Sequence, residues 1–108
     1  MGETSCETIR NDIEELNELI NGLTDCFYQQ KITEGYSKLE VMYPKLILII
    51  DEIGLLEKNN DIVESINNIT DILNNTLQVL EKKDYILLSD ILKYDLMAEL
   101  KYLSNKLA

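Results

Sequence analysis

The sequence predicts an all-α fold, an antiparallel up-down four-helix bundle, and three observations carry that expectation. Apolar residues recur in alternating steps of three and four along most of the chain, which keeps one face of a helix apolar. Only 1 Pro and 4 Gly are available, fewer than a turn-dense β architecture needs to fold strand onto strand. Short polar clusters divide the chain into four stretches of a length that suits helices joined by tight turns. At 108 residues a single core is expected, so residues 1–108 are read as one helical-bundle domain.

The first helix is expected over residues 5–28. Ile9, Ile13, Leu16, Ile20, Leu23 and Phe27 share a face, and Thr4-Ser5-Cys6-Glu7 has the form of a capping box. The apolar register then slips by five residues, from Phe27 to Ile32. That slip places a chain reversal near Gln29 to Lys31, in preference to Asn21-Gly22, whose turn chemistry is equally suitable.

The second helix is expected over 31–57, with Ile32, Tyr36, Leu39, Tyr43, Leu46, Ile50 and Ile53 inward. Pro44 lies inside it, removes one backbone hydrogen bond and crowds the Glu40 carbonyl, so a kink is expected there. A third helix over 61–82 begins at an Asp61 cap and turns Ile62, Ile66, Ile69, Leu73, Leu77 and Leu80 inward. Asp84 caps the fourth, expected over 85–105.

Composition narrows the function. The share of hydrophobic residues, 45%, is too high for an intrinsically disordered chain. A formal charge of −10 disfavours nucleic acid, which needs clustered cations. Residues 1–30 carry seven acids against Arg10 alone, which places −6 of that charge on the first helix, either a docking face for a basic partner or a solvated surface. The longest apolar run, Leu46 to Ile50, is far short of the roughly 20 residues of a membrane span, so no membrane partner is expected.

Cys6 and Cys26 lie 20 residues apart, about 30 Å along one helix at the α-helical rise, too far to pair with each other. Unpaired thiols without a recognisable signal peptide or lipidation motif lead to the expectation of a reducing cytoplasm. Abundant Ile, Asn and Lys suggest a bacterial source, and the two Asn-x-Thr sequons, at Asn68 and Asn74, are read as by-products of Asn richness.

There is no His and no Trp, which removes the commonest general base, the commonest neutral metal ligand and every Ser-His triad. No catalytic residue, cofactor or metal ligand is therefore assigned, and the chain is not expected to be an enzyme.

The fourth helix carries the candidate interaction residues. On an ideal wheel Tyr85, Leu88, Ile91, Leu92, Leu96, Ala98, Tyr102 and Leu103 cover more than half the circumference, and Asp95 and Glu99 interrupt them one turn apart. Leu92, Leu96 and Tyr102 flank the two acids. One reading is a partner or ligand groove with Asp95 and Glu99 at its polar centre; the plainer one is a pair of acids that meet Lys or Tyr donors within the bundle or a dimer, or stay in water. Because the arc is wider than one core requires, a second surface is expected, serving a homodimer or another protein.

The segment from Leu80 to Leu96, LEKKDYILLSDILKYDL, resembles a C-terminal stretch of small, functionally unassigned helical proteins of Gram-positive bacteria, and Glu34-Gly35-Tyr36-Ser37-Lys38-Leu39 resembles the start of their second helix. This resemblance implies a helical fold and assigns no activity. In size, acidity and helix count the chain also looks like bacterial flagellar export chaperones, which hold a partner helix before secretion. The function expected is thus a non-enzymatic protein-protein interaction module, an adaptor or export-chaperone-like bundle. The alternatives are a small-ligand or metal-binding domain using Asp95 and Glu99, and a self-associating structural subunit.

Overall fold

A computed structural model describes residues 6–56 and 59–107, which form four helices and no strand. Helix α1 spans Cys6–Tyr28, α2 Ile32–Ile53 and α3 Asn60–Glu81. The fourth helix runs without interruption through α4 (Tyr85–Asp90), a π-helical segment (Ile91–Leu96) and α5 (Met97–Lys106). The capping box expected at Thr4 lies outside the described residues.

Helix α1 ends where the register slips. Gln30 takes φ 62°, its N–H donates to the Phe27 carbonyl, and the Lys31 N–H reaches back to Cys26 at 2.8 Å. This is the Schellman pattern, in which a left-handed residue lets two later N–H groups satisfy the last carbonyls. Lys83, at φ 58°, closes α3 in the same way, with the Lys83 N–H on Leu80 and the Asp84 N–H on Val79. No break occurs at Asn21-Gly22, which lies within α1.

Two boundaries differ from expectation. Helix α2 stops at Ile53 instead of extending to 57, with the Gly54 N–H closing on the Ile50 carbonyl. Helix α3 is capped by Asn59 instead of Asp61: the Asn59 side chain accepts from the Ile62 N–H at 2.9 Å, which admits Asn60 and Asp61 to the first turn. Asp84 caps the fourth helix as expected, accepting from the Leu87 N–H at 3.1 Å.

One apolar cluster joins all four helices, and α1 is its spine, packing on α2 and on each segment of the fourth helix. Helix α3 covers the other side of the fourth helix. The inward face of α1 is the expected one, from Ile9 through Phe27. Helix α2 is rotated from expectation: Gly35, Leu39, Met42, Leu46, Ile49 and Ile53 are buried, and Tyr36, Tyr43 and Ile50 flank them.

The cause is the Phe27 ring, which a Cβ on Gly35 would approach to 2.6 Å, so only a glycine lets α2 come this close. Phe27 in turn stacks on Tyr85 at 5.2 Å and meets Tyr36 edge-on at 6.0 Å.

Helix α3 also turns. Ser65 and Thr76 are buried beside Ile62, Ile69 and Val79, whereas Leu77, expected inside, is exposed. Both hydroxyls are satisfied, Ser65 by Glu99 and Thr76 by the Leu73 carbonyl, so their burial leaves no bond unmade. Cys6 and Cys26 are both free thiols.

The π segment accounts for part of the breadth of the fourth helix's apolar arc. Leu88, Leu92, Leu96 and Leu100 follow one another in steps of four, and in a regular α-helix each such step drifts about 40° around the axis. A π turn, with N–H groups bonded five residues back as Met97 is to Leu92, takes about one residue more and cancels much of that drift. All four leucines are consequently 0% exposed. These leucines of the arc therefore belong to the core, whereas Ala98 and Tyr102, at its other edge, remain exposed.

Candidate functional site

Between α3 and the fourth helix lies an open groove of about 550 Å³. Its floor and walls come from Asn68, Asp71 and Ile72 of α3, and from Tyr94, Asp95, Ala98, Glu99 and Tyr102 across from them. Three of the five residues expected at an interaction site, Asp95, Glu99 and Tyr102, are therefore brought together. The other two, Leu92 and Leu96, are wholly buried in the core and line no part of the groove.

The two acids are held differently. Glu99 is half-buried and accepts from the Ser65 hydroxyl at 2.7 Å and the Asn68 amide at 3.3 Å. Both donors come from α3, spaced to reach the two oxygens of one carboxylate. Asp95 sits in the π segment, is exposed and has no hydrogen-bond or ion-pair partner among the described residues. Asp71, opposite on α3, is likewise exposed and unpaired there.

Two phenol rings border the acids. Tyr94 is 65% exposed and Tyr102 44%, and the Lys106 ammonium lies 5.3 Å from the Tyr102 ring while pairing with Asp61 at 3.4 Å. A cation on a tyrosine face is thus already part of the groove's rim. No Lys or Arg lines the groove itself. It presents the unpaired carboxylates of Asp71 and Asp95 and the phenol rings of Tyr94 and Tyr102. Among the described residues no group of three or more His, Cys, Asp or Glu side chains is placed to hold a metal ion.

Near the other end of the helix the Tyr28 hydroxyl donates to Asp90 at 2.5 Å, with the Lys93 ammonium 5.8 Å from the same ring. Burial first, and the Asp90 hydrogen bond second, push the Tyr28 phenol above its ordinary pKa. The contact ties the last turn of α1 to the start of the fourth helix.

Sequence reasoning missed two features. Asn68 and Asp71 reach the groove only through the packing of α3 on the fourth helix, which no local pattern encodes. The second is an outward apolar face on α2, where Val41 is 55%, Ile47 50% and Leu48 57% exposed, followed past the helix end by Leu55 at 77%. Its signal was present: five consecutive apolar residues, Leu46 to Ile50, cannot all face inward on one helix.

Fold and groove together define an acidic, all-helical protein with an uncommitted polar groove between two of its helices. Residues 4–106 match the family described as "Domain of unknown function (DUF8042)", and the chain belongs to that family. The match takes in nearly the whole chain, well beyond the 80–96 segment that carries the resemblance noted above. No curated protein and no solved structure matches the chain. No helix among the described residues is long and apolar enough to cross a membrane.

Proposed function

We propose that this chain is a non-enzymatic protein-protein interaction module of the bacterial cytoplasm, an adaptor or chaperone-like bundle whose groove between α3 and the fourth helix receives a Lys- or Arg-bearing segment of a protein partner. The observation that carries this reading is the groove's lining: Asp71 and Asp95 are exposed and unpaired, the Tyr94 ring is open, and apart from Lys106 at the rim no cation stands beside them. Such acceptors complement a basic segment and repel an acidic one.

The scaffold in this reading is an up-down antiparallel bundle with α2 bent at Pro44. Contacts at both ends of α1 support it, since Arg10 donates to the Leu107 carbonyl at 3.1 Å while Tyr28 meets Asp90. Helix α2 continues through Pro44, as a bent helix would.

The test is affinity capture from the native host with the wild type and with Asp71→Asn/Asp95→Asn, each first checked for its helical circular dichroism. A partner retained by the wild type and lost by the double variant is expected. Recovery of the same proteins in the same amounts by both would overturn the reading.

A further inference from the structure

The outward face of α2 belongs neither to the core nor to the groove. Val41 and Leu48 stand about two helical turns apart and so lie on one line along the helix, with Pro44 and Ile47 between them and Leu55 continuing past the end. An apolar stripe left this open on a helix is the half of a seam that a second helix completes.

Charge decides which helix. The two lysines of α2 lean the other way: Lys45 pairs with Glu15 of α1 at 3.1 Å, and the Lys38 side chain passes over Gly22 of α1. What remains exposed beside the stripe is acidic, with Glu34 and Glu40 toward one end and Asp51 toward the other. A second copy would bring the same acids of the −10 chain against each other, whereas a helix with apolar residues at matching spacing and Lys or Arg at its flanks meets attraction at Glu34, Glu40 and Asp51.

We propose that the outward face of α2 is a docking surface for an amphipathic, basic-flanked helix of a protein partner. This deepens the interaction reading at a surface separate from the groove, and either surface can fail without the other.

The probe is a synthetic helical peptide with leucines at seven-residue spacing and Lys flanks, titrated into the full ¹⁵N-labelled chain and followed by NMR. A second peptide carries Glu in place of each Lys. Chemical-shift changes confined to α2, centred on Val41 to Asp51, are expected with the Lys peptide. Binding should weaken at least tenfold with the Glu peptide and with Val41→Ser/Leu48→Ser, substitutions at exposed positions that leave the core intact. Asp71→Asn/Asp95→Asn should leave this binding unchanged, which separates it from the groove.

Shifts centred on Asp95 and Tyr102, equal binding of both peptides, or full affinity in the Val41→Ser/Leu48→Ser variant would each overturn the proposal. So would sedimentation showing that the wild type dimerises at micromolar concentration and that this variant is monomeric, because a second copy would then be the occupant.

Discussion

The Ser65 hydroxyl donates to the Glu99 carboxylate at 2.7 Å and, with Asn68 on the other oxygen, fixes one wall of the groove to the other. Ser65 is fully buried, so its hydroxyl has no alternative partner in water. Glu99→Leu should strand that hydroxyl and cost about 1–2 kcal/mol, whereas Ser65→Ala/Glu99→Leu removes both partners and should cost less than the sum of the two single changes. Denaturant melts of the double-mutant cycle measure the coupling. Strict additivity would mean that the contact contributes nothing to stability.

Leu96 separates a core role from a surface role. Because its side chain is 0% exposed, Leu96→Ala should cost about 2–5 kcal/mol, the range for emptying a buried leucine site. A surface residue in its place would shift stability by about 0.5 kcal/mol or less. Thermal or urea unfolding reads the difference directly.

Gly35→Ala should destabilise although alanine is the better helix former. The new methyl would stand 2.6 Å from the Phe27 ring, and that ring is backed by Tyr85 at 5.2 Å and cannot withdraw freely. Overpacking of this kind costs about 1–3 kcal/mol, more than the gain of about 1 kcal/mol in helix propensity. Gly22→Ala is the control, since its methyl meets nothing nearer than the Lys38 chain at 3.9 Å. A higher melting temperature for Gly35→Ala would contradict the packing described.

The Tyr28 phenol gives a pH dependence with a definite sign. Its folded-state pKa is raised, by burial and then by the hydrogen bond to Asp90, above the value of about 10 expected for the unfolded chain. Its contribution to stability is therefore complete below about pH 10 and is lost as the pH rises through the folded value. Tyr36, through its bond to Tyr85 and burial, and Tyr43, through burial, shift the same way, so the wild-type melting temperature should fall in alkali. Tyr28→Phe isolates one part of that fall: its melting temperature should vary less between pH 9 and pH 11. Parallel profiles would remove Tyr28 as a contributor.

What was legible in the sequence was periodic. Helix α1, its inward face and the reversal at Gln29 to Lys31 follow from an unbroken three-four pattern and the slip after Phe27. What was not legible depended on neighbours. The rotation of α2 is set by Phe27 seating on Gly35, and the cap of α3 was decided between adjacent polar residues, Asn59 and Asp61, that local rules hardly distinguish. At the groove, Asp95, Glu99 and Tyr102 share one face, but Leu92 and Leu96 join them only on a helix that keeps one pitch.

That change of pitch bears on which length changes the chain tolerates. A π segment is an α-helix carrying one residue more than its turns require, so residues 91–96 hold a single residue of slack. Removing one amino acid from an ordinary helix swings everything beyond it by about 100° and turns its buried face outward. Removing Lys93 should instead let the segment relax to α geometry while Leu88 and Leu100 keep their places in the core. Asp95 would then change its bearing relative to Glu99, and the groove would be reshaped on an intact scaffold. Natural relatives that differ by one residue here would share the fold and differ in the shape of the groove.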